Sequence, residues 1–149
     1  MMALPTAANG KITTGVSRTA RSHHDAVRVI KMDAQLEGLK WVVRALAQPA
    51  HVQRELFPPF VFIPDELLLE FEQFFEPDSA RYTDEWSGAQ YLSLRALDQK
   101  FATLDASGRE ELWCDADSLD LPEWSEVRQL AREAIRAFAW PADRPPSRT

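Results

Sequence analysis

Apolar residues recur with the period of an α-helix along most of the chain after Met32. The first stripe has spacings of three and four residues, which predicts one buried face of a helix. Asp33 is expected to cap this helix, and Pro49 is expected to end it. A short second helix is expected at residues 50–56, with Pro49 at its first position. The first stripe consists of Leu36, Leu39, Val43 and Leu46.

A third helix is predicted to begin at Pro64, because Asp65 and Glu66 follow as acids in its first turn. Proline fits the first helical position, and acids there face the positive end of the helix dipole. Pro77 is expected to stop this helix. The inward stripe consists of Leu67, Leu68, Phe71, Phe74 and Phe75, and the residues expected on the outward side are Glu66, Glu70 and Gln73.

Two longer helices are predicted in the second half of the chain. Thr83 is the expected cap of the fourth helix, because Asp84 and Glu85 would follow in its first turn. Trp86 is expected to anchor the start of this helix, and Pro122 is expected to open the last one. The fourth helix carries the stripe Leu94, Leu97, Phe101 and Leu104, and the last helix carries Trp124, Val127, Ala131, Ala134 and Phe138.

Residues 57–64 interrupt the helical pattern with three prolines. Proline lacks a backbone N–H and disfavours helix in the residue before it, so an extended apolar connector across the core is expected. A short strand at residues 60–63 is the alternative, although no segment is apparent that would pair with it. We therefore predict an all-α fold: a compact bundle of four main helices plus one or two short helices, with an extended proline-rich connector.

Charge divides the chain near Met32. Of the 17 basic and 23 acidic side chains, residues 1–31 hold five and one, which leaves 12 and 22 in the remainder, a balance of −10. We predict a disordered basic leader at residues 1–31, a single helical domain at residues 32–140 and a disordered tail at residues 141–149. Whether the leader is a transit peptide or an extension upstream of a true start at Met32 stays open.

Composition excludes several classes of protein. No run of 18 apolar residues occurs, which excludes a membrane span. Cys114 is the single cysteine, so an internal disulfide is impossible and a reduced, cytoplasmic location is expected. Five glycines against ten prolines argue against an all-β sandwich.

No catalytic signature stands out in the sequence. There is no phosphate-binding glycine loop, nucleophile elbow or nucleotide fingerprint. Cys114 is followed by acids rather than bases, which favours a buried or half-buried apolar role over a reactive thiol. Asp115, Asp117 and Glu126 match positions 1, 3 and 12 of a calcium loop, but an acid stands where that loop needs glycine. We therefore predict no catalytic residue, no metal, no cofactor and no enzymatic activity.

Arg128, Arg132 and Arg136 step by four along the last predicted helix and form a basic stripe. Three arginines can touch phosphates, but the acidic balance of the domain opposes a polyanion at longer range. The arginines are expected to pair with nearby acids and with the dipole at the end of the helix. We therefore predict neither a nucleic-acid partner nor a membrane partner.

Acidic side chains crowd the third helix and two turns, and this surface is the feature most open to a functional interpretation. Such a surface speeds encounter with a basic partner and can imitate a phosphate backbone, although solubility alone would also account for it. An exposed tryptophan beside acids would serve as a binding anchor. The candidate partner-binding residues are Asp65, Glu66, Glu70, Glu72, Glu76, Asp84, Glu85, Trp86, Asp115 and Asp117.

Several stretches carry a likeness to a known class of protein: Leu56-Phe57-Pro58-Pro59-Phe60-Val61, Asp65-Glu66-Leu67 with Phe71, Glu111-Leu112-Trp113, and residues 124–132. On these stretches, residues 32–140 resemble small bacterial immunity-type proteins that are encoded next to secreted or contact-delivered toxins. The resemblance implies a non-enzymatic inhibitor that caps the active site of a cognate toxin. It transfers no functional residue, because immunity proteins recognise their toxins through variable surfaces.

We therefore expect a cytoplasmic, acidic protein-binding module whose partner is another protein, with a basic toxin domain as the first candidate. The alternative is a regulatory or adaptor protein that binds a partner helix in an apolar groove beside residues 57–63. A further alternative is a carboxylate-dependent enzyme, which would need a cleft that holds two acids with at least one of them buried. The sequence does not indicate an oligomeric state.

Overall fold

The computed structural model describes residues 34–79 and 84–148, and over these residues the protein is helical and has no strand. Four main helices, one short helix, two 3-10 helices and two further helical residues, 84 and 85, are present there, so the predicted all-α class is confirmed. None of the described helices is both long and apolar enough to cross a membrane. The elements are α1 (residues 34–46), α2 (Ala50–Glu55), α3 (Ile63–Phe74), α4 (Gly88–Ala106), the first 3-10 helix (Glu110–Leu112), the second 3-10 helix (Ala116–Asp120) and α5 (Pro122–Phe138).

By its internal packing, the segment Glu37–Thr149 forms one compact unit. The predicted leader, residues 1–31, lies outside the described residues, as does the predicted cap of α1, Asp33.

The start of α4 differs from the prediction. Ser87 is the cap of this helix, and Thr83, the predicted cap, lies outside the described residues. The Ser87 hydroxyl accepts a hydrogen bond from the Gln90 backbone N–H at 3.2 Å, and the Gln90 side-chain oxygen accepts one from the Ser87 N–H at 2.9 Å. This reciprocal pair satisfies two backbone donors at the end of the helix. The prediction placed the cap at Thr83 because two acids follow it, and it overlooked the Ser-x-x-Gln spacing that caps α4.

Aromatic side chains join α3, α4 and α5 at the centre of the fold. The ring of Phe101 lies 5.5 Å from that of Phe71 and 6.0 Å from that of Trp124. Near the other end of α4, the Gln90 side chain donates to the Ala137 carbonyl, so α4 and α5 run antiparallel. The predicted stripe residues that are buried are Leu39, Val43, Leu46, Leu67, Leu68, Phe71, Phe75, Leu94, Leu97, Phe101, Leu104, Trp124, Val127, Ala131 and Ala134.

The connector between α2 and α3 turns instead of running extended. The Val61 N–H donates to the Pro58 carbonyl at 3.3 Å, and no strand forms at residues 60–63. Prolines remove donors that a strand would need, so a turn is the conformation open to this segment. Phe57 and Ile63 are buried, whereas Phe60 is 83% exposed. The connector is therefore buried at its two ends, and between them Val61 packs partly against the core.

The segment that follows α5 lies against α1. Arg44 donates to the carbonyls of Pro141 and Asp143, each at 3.0 Å, and Gln48 donates to the Ala142 carbonyl at 3.2 Å. Residues 141–148, which we call the strap, therefore depart from the predicted disorder. These contacts join residues 94 to 99 positions apart, so no local sequence pattern could indicate them.

Candidate partner-binding site

A shallow depression lies where the start of α3 meets the first 3-10 helix and the residues after it. It encloses about 300 Å³ and opens broadly to solvent. Phe62 and Asp65 line one side, and Glu110, Trp113 and Cys114 line the other. Phe62 is 66% exposed, and Trp113 is half-buried. We call this feature the Trp113 depression.

The loop that carries Trp113 is pinned to the core. The Trp124 indole N–H donates to the Leu112 carbonyl at 2.8 Å, and the buried Ser118 hydroxyl donates to the Glu111 carbonyl at 2.5 Å. The Trp113 ring packs edge-on against the Trp124 ring, with 5.7 Å between centroids. These contacts fix the backbone around the depression, so its shape exists before any partner binds.

The carboxylates around the Trp113 depression differ in how their charge is balanced. Asp65 and Glu110 are exposed, and neither forms an ion pair within the described residues. The Glu111 carboxylate, by contrast, accepts a hydrogen bond from Arg109 Nε at 3.0 Å. Its own backbone N–H and Arg109 together lower the pKa of Glu111. Uncompensated negative charge therefore collects at Asp65 and Glu110.

A second depression, of about 210 Å³, adjoins the first at Cys114. Asp115 caps the second 3-10 helix there, because its Oδ1 accepts from the backbone N–H groups of Asp117 and Ser118 at 2.8 and 3.2 Å. The Asp117 side chain is exposed. The lining consists of Glu111, Cys114, Asp115, Asp117, Ser118 and Leu121. Of the predicted candidates, Asp65, Asp115 and Asp117 therefore line this pair of depressions.

Glu70 does not belong to an exposed acidic surface. It is 6% exposed, and its Oε1 lies 2.9 Å from the Arg148 guanidinium, so its predicted outward position is wrong. Burial raises the pKa of Glu70, while the charge of Arg148 opposes the rise. Glu66, another candidate, is half-buried, and its charge adds to the rise. Glu70 lies three positions after the core residue Leu67, at the edge of the apolar stripe of α3. The strap covers this edge.

Glu72 belongs to a different acidic group. Burial raises its pKa, and the carboxylates of Asp105, Asp98 and Asp65 add to the rise. Asp98 and Asp105 lie on α4, so this group spans two helices. Neither α4 residue was a candidate, because the sequence does not show which faces of the two helices meet.

The remaining candidates follow α3 in the chain and include one half-buried tryptophan. The Trp86 ring packs edge-on against Phe138 at the end of α5, whereas Trp113 packs against Trp124 at its start. Fourteen helical positions separate Trp124 from Phe138, which corresponds to about 21 Å. Trp86 therefore packs at the edge of the core, away from the Trp113 depression, and is not an exposed anchor. These candidates are Glu76, Asp84, Glu85 and Trp86.

The acids of the calcium-loop match and Cys114 all lie in the part of the chain that the structure describes. No group of three or more His, Cys, Asp or Glu side chains there is arranged to hold a metal ion. Glu126, from the calcium-loop match, pairs with Lys100, and Asp115 is engaged as a helix cap. Cys114 is exposed, so the prediction that it is buried or half-buried is wrong. Its loop places it at the rim shared by the two depressions.

One arginine of the predicted basic stripe forms hydrogen bonds with buried residues. Arg128 donates to the Leu119 carbonyl at 2.9 Å and to Gln53 Oε1 at 3.3 Å, and burial lowers its pKa. Its hydrogen-bond acceptors are neutral groups instead of the expected acids. Arg132 and Arg136 are exposed.

Sequence reasoning missed Glu110 and Trp113 as site residues and included Phe62 only within residues 57–63, the segment beside the alternative apolar groove. Phe62 lies in an apolar run that holds more large side chains than one buried face can accept, and this excess was the available signal. In the sequence, Trp113 drew notice only as part of a stretch that resembles immunity-type proteins. Their meeting depends on the contact between the start of α3 and the loop before α5, which no local pattern reveals.

Comparison with protein-family models, with curated proteins and with solved structures gives no match. The resemblance to immunity-type proteins therefore stays a prediction.

Proposed function

We propose that this chain is a non-enzymatic protein-binding module whose partner inserts a lysine or arginine side chain into the Trp113 depression. The resemblance to immunity-type proteins makes the basic active-site surface of a toxin the proposed target, and inhibition the proposed outcome. One observation carries the proposal. Asp65 and Glu110, both exposed and without an ion pair in the described residues, line the same depression as Phe62 and Trp113.

Aromatic faces beside carboxylates suit a cationic side chain. A cation over an aromatic ring gains about 0.5–1 kcal/mol at an exposed site. A guanidinium or ammonium group also forms charge-assisted hydrogen bonds with carboxylates. The net charge of −6 adds long-range attraction, which speeds the encounter with a basic protein.

Binding is favoured over catalysis by the exposure of the carboxylates. A carboxylate-dependent enzyme would need two acids in one cleft with at least one buried, and both Asp65 and Glu110 are exposed. The buried carboxylate of Glu70 lies beside Arg148 and is not part of the lining. A cytoplasmic location belongs to the proposal, because the exposed Cys114 would stay reduced there.

The proposal can be tested by affinity capture with matched charge reversals. The full-length chain and the variants Asp65→Lys, Glu110→Lys and Glu133→Lys are immobilised and exposed to a lysate of the native cells. Glu133 is exposed on α5, so its reversal changes the net charge equally at a position outside the depression. We expect one basic protein to be retained by the wild type and by Glu133→Lys. Its retention should fall at least about tenfold with either depression variant.

The captured protein must then be inhibited for the proposed function to stand. Its activity is measured with and without the wild-type chain and each variant. Inhibition by the wild type and by Glu133→Lys, but not by Asp65→Lys, supports the proposal. Capture that is equal for all four baits, or a captured protein whose activity does not change, contradicts it.

Binding of a partner helix in an apolar groove is a second candidate, because Phe60 is 83% and Phe62 is 66% exposed. Two exposed phenylalanines beside a depression are the kind of apolar surface that a partner helix covers. This candidate predicts that the partner stays bound in high salt and is released by Phe60→Ser. A complex that dissociates in salt and tolerates Phe60→Ser argues against it.

A further inference from the structure

The strap is an extended segment seated in a groove formed by α1, the end of α2 and α3. Pro145 is buried, and the Pro146 carbonyl accepts a hydrogen bond from the Trp41 indole N–H at 2.7 Å. The edge of Phe57 braces the Trp41 ring, with 5.6 Å between centroids. A tryptophan N–H directed at the carbonyl of a proline-rich segment is a common way in which proteins recognise such segments.

An arginine follows the two prolines and is held by two side chains at once. The Arg148 guanidinium lies 3.8 Å from the centroid of the Trp41 ring and 2.9 Å from the Glu70 carboxylate. Its planar group suits stacking on an aromatic face together with a charge-assisted contact to a carboxylate. The pocket for this side chain is therefore an aromatic wall with an anion at its base.

Backbone contacts fix the register of the segment in the groove. The Arg148 N–H donates to the Leu56 carbonyl at 2.7 Å, and the Ser147 hydroxyl donates to the Glu55 carbonyl at 3.3 Å. The Glu55 carboxylate pairs with Arg144 at 2.5 Å. The backbone carbonyls of Glu55 and Leu56 thus fix the position of the strap, and the carboxylates of Glu55 and Glu70 pair with its arginines.

The strap supplies the groove with a cation beside Glu70 and an acceptor for the Trp41 indole. Within the described residues, the ion pair of Glu70 is with Arg148, and the hydrogen bond of the Trp41 indole is with Pro146. When the strap leaves, the Glu70 carboxylate loses its cation partner, so the groove retains an affinity for a cation. A segment of another molecule with a proline carbonyl and an arginine at the same spacing would form the same contacts in place of the strap.

We propose that this groove is a binding site for a proline-rich segment of another protein that carries an arginine two residues after its second proline, and that the chain's own strap occupies it in cis. The site is separate from the Trp113 depression and does not depend on the function proposed for that depression. The partner must compete with the strap, which lowers its apparent affinity for the wild-type chain.

The test uses a fluorescent synthetic peptide with the sequence of residues 141–149 and full-length protein throughout. The variant Arg148→Ala weakens the strap and leaves the groove intact. By fluorescence anisotropy, we expect the peptide to bind Arg148→Ala at least about tenfold more tightly than the wild type. Adding Glu70→Gln to Arg148→Ala should reduce this binding at least about tenfold, because the arginine pocket loses its anion.

Matched controls separate recognition from unfolding. Glu72→Gln, combined with Arg148→Ala, changes an exposed acid on the same helix and should leave peptide binding unchanged. Trp41→Phe in the same background keeps an aromatic ring, removes the N–H donor and should weaken binding while the helical circular dichroism signal persists. A peptide in which the second arginine is replaced by alanine should bind more weakly to Arg148→Ala.

Several outcomes would overturn the proposal. Absence of peptide binding to a folded Arg148→Ala variant would show that the groove is not a site for separate segments. Equal binding to the wild type and to Arg148→Ala would show that the strap does not occupy the site that the peptide uses. A wild-type chain that sediments as a strap-exchanged dimer would contradict occupancy in cis.

Discussion

At the residue scale, the Glu70 carboxylate couples protonation to folding. It is almost fully buried on α3 with the Arg148 guanidinium 2.9 Å away, and burial raises its pKa. The folded protein therefore holds a proton at this site more tightly than the unfolded chain does. The resulting stabilisation is fully present below the ordinary glutamate pKa of about 4.3 and is lost as pH rises through the raised, folded value.

Replacement of Glu70 by glutamine should expose this dependence. The free energy of unfolding of the wild type minus that of Glu70→Gln is expected to fall as pH rises from about 4 toward 7, because only the wild type must bury a charge at the higher pH. Urea unfolding of both proteins at a series of pH values measures the difference. The exposed Glu133→Gln is the control for general charge effects. A difference that stays flat or grows with pH would show that the Glu70 pKa is not raised in the folded state.

Ser118 is the second residue whose individual contacts matter, because its hydroxyl ties the two 3-10 helices together through the Glu111 carbonyl. Ser118→Ala should lower the free energy of unfolding by about 1–2 kcal/mol, since the hydrogen bond from the buried Ser118 side chain to the Glu111 carbonyl is lost. Ser125→Ala, at an exposed position on α5, is the matched control and should change stability by less than about 0.5 kcal/mol. Equal urea midpoints for the two variants would show that the hydroxyl does not hold the loop.

At the element scale, the start of α4 rests on the reciprocal hydrogen bonds between Ser87 and Gln90. Ser87→Ala should lower the free energy of unfolding by about 1 kcal/mol, and Ser87→Asp should retain most of the stability because a carboxylate also caps. Thermal or urea unfolding measures both variants. If the aspartate variant loses as much stability as the alanine variant, capping at Ser87 is not what stabilises the helix start.

The elements also show which parts of a fold a sequence can predict. The stripes of α3, α4 and α5 were predictable because packing on one core imposes a helical period on apolar positions. Prolines located helix ends and the connector to within a few residues. The turn at residues 58–61 was not predictable in detail, because an apolar run between prolines does not show which side chains enter the core.

At the scale of the whole molecule, the acidic residues separate into groups that the sequence shows as one surface. Asp65 and Glu110 meet at the Trp113 depression, whereas the pKa of Glu72 is raised by burial and by the carboxylates of Asp105 and Asp98 on α4; Asp65 also contributes to this rise and so borders both groups. Contacts between elements that are distant in the chain produce this arrangement. Contacts of the same kind hold the strap in its place. The sequence therefore predicted that charge would be available to a basic partner, but not the depression that would use it.

We propose that the Trp113 depression recognises a basic protein, and a titration with charge-reversal variants decides whether this claim holds. The dissociation constant of the captured partner is measured by calorimetry for the wild type, Glu110→Lys and Glu133→Lys at low and high salt. We predict at least about tenfold weaker binding for Glu110→Lys than for Glu133→Lys at low salt, and a smaller difference at high salt, because added ions screen exposed charges. Equal dissociation constants for the two reversals at low salt would contradict the claim.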